Sequence, residues 1–418
     1  MDQRPPEAIH TAVVGAGQAG LIMSRLLRRA GREHVVLEQR ETLGGGWQDR
    51  WDAFRLVSPN FIAGLPDHPY DGRDPDAFMT RDEIASRVAA YARIVDAPIV
   101  LATEVTRLSQ DTDARGFDIE TSRGAVHAED VVVATGAFHT PRIPATAAFG
   151  PSIHQVHSHD YRNPDELPPG GALVVGTGQT GVQLAEDLHA AGRAVTLSVG
   201  HCGRAARRYR DRDWFWWVRQ LVDNGDRVGA ALPTVDTLPD PRARFACNPH
   251  MSGHDGGHDT NLRRFAANGI RLVGRFEAAE GQRAKFAEDL EANLRFADGF
   301  FDERIGPLFE KYAERAGLDL PPDDREPFEF SVPEVTELDL AAEGISTVVW
   351  TTGYAPDYGW LDVPVLGEFG LPRHIRGVSE IPGLTFLGLL WQLNNASANL
   401  TGVAADAEYL ASRWGARV

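Results

Sequence analysis

Four residues near the start of the chain have the types and spacing to hold a dinucleotide: Gly15, Gly17, Gly20 and Glu38. In TAVVGAGQAGLIMSRLLRRAGREHVVLE an apolar run meets a glycine turn, a helical pattern, a second apolar run and an acid. Gly15 lets the chain turn tightly out of a strand, Gly17 lets backbone approach a pyrophosphate, and Gly20 lets helix and strand pack closely. Gln18 opens the helix, whose positive N-terminal end suits the phosphates. Glu38 falls about twenty residues past the turn, where its carboxylate can accept hydrogen bonds from both ribose hydroxyls. It also repels a 2′-phosphate, so this site suits FAD or NAD and argues against NADP.

The chain repeats the theme in GGALVVGTGQTGVQLAEDLHAAGRAVTLSVG, with Gly176, Gly178 and Gly181 at the same spacing and Gln179 and Thr180 between them. Here no acid ends the second run, and Arg204, Arg207 and Arg208 follow. Arginine reads phosphate bidentately, so these guanidinium groups favour NADPH over NADH, the bland alternative being a solvated helix face.

These turns require an α/β chain with two Rossmann-like domains. The expected order is a first FAD-binding part over 1–145, an NADPH-binding domain over 146–335 with a helical insertion at about 205–320, and a returning FAD-binding part over 336–418. Between Glu38 and Thr80 lies a loop rich in Gly, Pro and aromatics, too long for a mere connector and therefore expected to be functional. Thr80 followed by Asp82 and Glu83 reads as the capped start of an amphipathic helix. IVLATEVTRLSQD, FDIETS and AVHAEDVVVATGAF read as strands, the last buried and ending in Thr135 and Gly136. Trp214, Phe215, Trp216 and Trp217 cannot share one helix face, so some must meet another domain, a ligand or a partner. His250, His254 and His258 are spaced as metal ligands on a helix, but Gly253, Gly256 and Gly257 break that helix, so no metal site is expected and a polar loop near the nicotinamide nucleotide is.

Composition narrows the class. The 418 residues are 43% hydrophobic and 24% charged, the profile of a globular protein of two to three domains. A formal net charge of −17 argues against nucleic acid or an anionic membrane as main partner. The start of the chain is broken by glycines and Arg25 and reads as a fold element, not a signal peptide; no apolar run of about eighteen residues suggests a membrane span. A cytoplasmic location is the default expectation, and a homo-oligomer is compatible with the composition. Cys202 and Cys247, without a CxxC, are expected to form neither a disulfide framework nor a thiol–disulfide pair, which argues against the usual dithiol reductases.

Several motifs in order make the chain resemble the class B flavin-containing monooxygenases, which include N-hydroxylating and Baeyer–Villiger relatives. Gly15, Gly17, Gly20 and Glu38 match that family's FAD fingerprint, and LGGGW, with Gly45 and Trp47, looks like its flavin-contact motif. VVVATGAF and VVWTTGY, the latter carrying Gly353, resemble the two strands where the chain passes between domains, and GTGQTG resembles the NADPH fingerprint. His157 and Tyr161 have the separation of the family's linker signature, although its Phe and Gly are not at their offsets and no Trp–Pro follows Tyr161. The resemblance implies that Val105 contacts the adenine side of FAD and that Asn395 or Asn394 lies near the flavin. It carries a catalytic asparagine over to Asn60 loosely, since Val57 occupies the family's position. It also implies that NADPH reduces FAD, that O2 then gives a C4a-(hydro)peroxyflavin, and that a small organic substrate takes one oxygen atom at nitrogen, sulfur or carbon. The competing reading is a flavin-linked NAD(P)H reductase passing electrons to a quinone or protein.

Overall fold

Apolar runs bounded by glycine turns become the parallel strands of two separate sheets in the computed structural model, which describes residues 4–111 and 115–414. In the first sheet the opening strand Ala8–Val14 is central, with His34–Leu37 parallel on one side and Gly124–Val133 parallel on the other. Ile99–Val100 and Leu384–Phe386 extend the parallel part, and Val105–Gln110 and Phe117–Thr121 form an antiparallel excursion on the edge. The second sheet is wholly parallel, in the order Arg271–Val273, Val195–Ser198, Gly171–Val175, Ile345–Trp350, His154–His157. Strands such as Gly171–Val175 and Val195–Ser198 are buried at every residue, as helices and a second layer on both faces of a parallel sheet demand. The expected α/β fold with two dinucleotide-binding domains is therefore the observed one.

The two units share one apolar core, in which Val13, Leu21 and Tyr91 of the first unit belong to the same cluster as Tyr161, Leu184 and Leu188 of the second. Two crossings join the units, and they run side by side: Thr140–Pro141 pairs antiparallel with Tyr354–Ala355. His157 Nε2 lies 3.1 Å from the Gly353 carbonyl oxygen at this doorway, while the Tyr161 hydroxyl donates to Asp187 at 2.7 Å. The helix expected from Thr80 is present over Arg81–Ile94, with a full capping box between Thr80 and Glu83.

Three expectations need correction. The return to the first unit comes later than 336, because Ile345–Trp350 still pairs in the second sheet, against Gly171–Val175. The insertion at about 205–320 is not helical throughout: helix Trp214–Val228 is separated from the helices Leu290–Phe300 and Gly306–Arg315 by Arg271–Val273, Phe276–Gly281 and Arg283–Phe286, which pair as strands. Finally, Cys202 and Cys247 form a disulfide, with Cα atoms 5.9 Å apart. A parallel bridge between Arg204 and His250 brings the two segments together across 45 residues, a contact that sequence spacing does not reveal.

The four adjacent aromatics separate as a helix requires. Trp217 is fully buried, stacked on Phe309 with ring centroids 5.1 Å apart, and donates from Nε1 to the Tyr209 carbonyl at 3.1 Å. Trp214 meets the edge of Phe309, Phe215 faces the Arg207 guanidinium, and Trp216 carries Arg212 over its ring. Packing thus accounts for most of the cluster. Trp216 alone lines a cavity of about 410 Å³, shared with Phe61, Phe78, Arg208 and Arg212. Among the described residues no helix is long and apolar enough to cross a membrane.

Candidate functional site: two glycine turns and the loop above them

At the first turn Gly15 has φ of +104°, and a Cβ there would stand 2.7 Å from the Ala134 carbonyl oxygen. A Cβ on Gly20 would stand 1.9 Å from the Gly15 carbonyl oxygen, so only glycine allows the helix Gln18–Arg29 to sit this close to its strand. Above Gly17, the residue that caps the helix, a Cβ would meet nothing within 4 Å, leaving open the space a pyrophosphate needs. Glu38 is buried at 7% exposure, and its carboxylate accepts the Ala16 N–H at 2.7 Å and the Arg40 N–H at 3.0 Å. A carboxylate offers about four acceptor positions, so about two remain for ribose hydroxyls. These residues fit the nucleotide half of FAD.

Around this turn three distant segments converge. Gly45, at φ +61°, packs its backbone against Gly17, and Trp47 Nε1 donates to Gln18 Oε1 at 3.2 Å. Gln18 Nε2 in turn donates to the Ala398 carbonyl at 3.2 Å, tying the loop and the C-terminal segment to the helix start. Thr135 and Gly136 follow directly on Ala134 at the end of the neighbouring strand, Gly136 with φ of +82°. Val105 begins the edge excursion; its link to the site runs through the chain just before it, where the Thr103 N–H donates to the Glu38 carbonyl at 2.8 Å. Asn60 is buried, with Nδ2 donating to the Asp74 carbonyl at 2.9 Å and Oδ1 without a partner. Asn395 donates from Nδ2 to Asn248 Oδ1 at 2.8 Å, joining the C-terminal segment to the second unit.

The second turn copies the first with one change. Gly176 has φ of +110° and packs against Thr351 just past the end of the neighbouring strand, as Gly15 packs against Ala134; a Cβ on Gly181 would stand 1.9 Å from the Gly176 carbonyl oxygen. Gly178 caps the helix Gln179–Ala190, and Thr180 lies half-buried in its first turn. Gly353, at φ +77°, ends the neighbouring strand region as Gly136 does in the first unit. Where the first copy has Glu38 bonded to its neighbouring strand at Val100, the second has Val199 bonded to Val273. The carboxylate's task of bracing the turn passes to the Thr177 hydroxyl, which accepts the Gly200 N–H at 3.0 Å. Laying one fingerprint on the other would have found Thr177 and Val199 in the sequence.

The three arginines after this strand diverge. Arg204 lies 3.6 Å from Asp259 and 3.5 Å from Asp298. Arg207 is 3% exposed, paired with Asp213 at 2.8 Å, donating to the Val57 carbonyl at 2.6 Å, and set 4.4 Å from the Phe78 ring centroid. Arg208 is exposed and lines the cavity beside Trp216. Arg207 therefore ties the 39–79 loop to the second unit, a role its place in an arginine run does not disclose.

The histidine-rich loop lies over the second turn. Gln179 clamps it, with Nε2 donating to the Met251 carbonyl at 2.5 Å and Oε1 accepting the Met251 N–H at 3.1 Å. His258 Nε2 lies 2.7 Å from Glu186, and both ring nitrogens of His250 are buried without a partner. Among the described residues the donor atoms that converge as a metal site would require belong instead to Asp111 and Asp118 at the edge excursion and His127 on the adjoining strand Gly124–Val133. Burial, then the neighbouring Arg204 charge, pushes the His250 pKa down from 6.5 to about 3. The unfolded chain thus binds a proton the folded one refuses, so stability is full above pH 6.5 and falls as pH drops toward 3. His374, pushed down to about 4 by burial, adds to the same loss. We expect the melting temperature to fall through this window and the His250→Leu variant to fall less steeply; an unchanged slope in thermal scans across pH would remove His250 from the account.

Two glycine turns, each opening a helix against a parallel sheet and only the first followed by a buried carboxylate, define a fold with two dinucleotide-binding domains. The chain belongs to the pyridine nucleotide-disulphide oxidoreductase family, whose model matches residues 12–224, just over half of it. Over 96% of its length it is 30% identical to an uncharacterized oxidoreductase CzcO-like of Geobacillus kaustophilus, covering 97% of that relative. It is 28% identical, over 46% of this chain and 50% of the relative, to flavin-containing monooxygenase FMO GS-OX-like 2 of Arabidopsis thaliana. The flavin-containing monooxygenase from Stenotrophomonas maltophilia shares the fold with a TM-score of 0.66 at 18% identity, over 98% of this chain and 99% of that one. The resemblance read from the motifs is borne out, and family and fold support FAD and NADPH as the cofactor pair.

Proposed function

We propose that this protein is an NADPH-dependent flavin monooxygenase that transfers one oxygen atom from O2 to nitrogen, sulfur or carbon of a small organic substrate. The observation that carries the reading is the contrast between the two turns: Glu38 marks the first for an unphosphorylated ribose, and Val199 removes from the second the charge that would repel a 2′-phosphate. The half-length likeness to the Arabidopsis monooxygenase supports oxygenation as the outcome.

Bound FAD supplies the redox chemistry that links the nicotinamide nucleotide to O2. The chain's share is to bind, orient and exclude water. Glu38 holds a ribose; the helix starts at Gly17 and Gly178 face the phosphates; the Trp47–Gln18–Ala398 chain fixes the loop and the C-terminal segment about the first turn. Asn60, with a buried and unpartnered Oδ1, is the candidate catalytic residue, as a hydrogen-bonding group toward the reacting centre. Arg204 is the arginine nearest along the chain to the second ribose, and Arg207 and Arg208 stand further from that strand end.

The test is to supply 18O2 with NADPH and a panel of probes such as thioanisole and N,N-dimethylaniline. Product carrying one 18O atom, formed faster with NADPH than with NADH, is the expected result. NADPH consumption with only peroxide, and quinone reduction in its place, would establish the reductase reading.

A further inference from the structure

The disulfide stands directly over the second glycine turn. A Cβ placed on Gly178, the position where backbone must approach the pyrophosphate, would lie 3.5 Å from the Cys247 Cβ. A methyl group fits that gap in van der Waals contact; a phosphate, which is larger, does not. Above Gly17 in the first unit the same construction meets nothing within 4 Å. The two cradles therefore differ in access, and the difference is Cys247.

What holds Cys247 there is legible in the surrounding strap. From Ala231 to Pro249 no residue is buried, whereas Ala230 and His250 at its ends are. Beyond it the chain is pinned by the His250 N–H donating to the Gly203 carbonyl at 3.0 Å and by the Gln179 clamp on Met251. Within it, Val235 N–H donates to the Leu393 carbonyl at 2.7 Å and Asn248 accepts from Asn395. Near Cys247 the disulfide to buried Cys202 is the covalent tether, beside the Asn395–Asn248 amide pair and an edge-on contact of exposed Phe245 with Phe369.

We propose that the Cys202–Cys247 disulfide is a redox-modification site that latches the strap over Gly178 and restricts the pyridine nucleotide, and that reduction by a dithiol opens the site. The inference rests on the second turn being the nucleotide site, as the proposed function has it. Cys247 is half-exposed and Cys202 is 3% exposed, so a thiolate of the dithiol attacks the Cys247 sulfur. The S–S bond breaks, Cys202 leaves as a thiolate and takes a proton, and the second thiol of the reductant displaces Cys247. Two electrons pass to the protein, which ends with two thiols while the dithiol ends as a disulfide. Hydrogen peroxide reverses the change, two thiols and one peroxide giving the disulfide and two waters.

The experiment uses the full FAD-loaded protein, oxidised with peroxide or reduced with dithiothreitol, with free thiols counted and NADP+ binding measured by calorimetry. The reduced protein is expected to show two thiols and to bind NADP+ about tenfold more tightly than the oxidised one. The Cys247→Ser variant, altered at a half-exposed position, should bind as tightly as the reduced form whether or not dithiothreitol is present. Two free thiols after peroxide treatment, or equal affinity in both states, overturns the latch and leaves the proposed function standing. No NADP+ binding in either state, with FAD still bound, overturns both.

Discussion

The Gly20→Ala protein is expected to purify colourless, and the Gly181→Ala protein to purify yellow but resist reduction by NADPH. Each methyl would land 1.9 Å from a carbonyl oxygen of its own turn, Gly15 or Gly176, and backbone cannot swing aside as a side chain can. The helix must slide along or away from its strand, and overpacking of this kind costs about 1–3 kcal/mol or more. The larger effect is on the ligand. The helix start, where the proposed function puts the phosphates, moves with the helix, and at the first turn so does Gln18, through which Trp47 and Ala398 are held. The flavin-to-protein absorbance ratio reads the first variant, and anaerobic bleaching by NADPH reads the second. A yellow Gly20→Ala protein would show that the first turn is not the flavin's, and bleaching of the Gly181→Ala protein at the unaltered rate would take the nicotinamide nucleotide away from the second.

Trp217→Ala should be the most destabilising single change in the insertion, at about 3–5 kcal/mol. Trp217 is fully buried, stacks on Phe309 at an interplanar angle of 8°, and satisfies the Tyr209 carbonyl. Alanine leaves a cavity among Leu221, Phe301, Phe309 and Tyr312 and an unpaired buried carbonyl. Because this cluster is separate from the core that packs both glycine-turn helices, the flavin should remain bound as the insertion loosens. Urea unfolding followed by tryptophan and flavin fluorescence separates the two events. Trp216→Ala, at the cavity's rim with Arg212 over its ring and the Trp217 ring edge-on at 5.1 Å, should cost less, about 1–2 kcal/mol. Equal losses from the two variants would refute this division of the aromatic cluster.

What could be read from the sequence follows how local the physics is. The glycine turns, the Thr80 cap and the buried strands are written within a few neighbouring residues, and the structure has them where the patterns put them. Glu38 was legible because the strand that carries it has a fixed length. The partners of Arg207 were not, since Val57, Phe78 and Asp213 come from three segments and no local rule brings them together. The same holds for Cys202 and Cys247, joined through a bridge between Arg204 and His250. The late return of the chain escaped because Ile345–Trp350 looks like any buried strand, and only pairing decides which sheet it enters.

The paired crossings at Thr140–Pro141 and Tyr354–Ala355 give the second unit a single doorway. A segment whose two ends are hydrogen-bonded neighbours can be excised and its host closed with a short bridge, or relocated by circular permutation, without pulling either sheet apart. The second unit is in that sense a cassette. A chimera that exchanges it with the corresponding segment of a relative needs to match two adjacent strands at the seam and the apolar core that the units share.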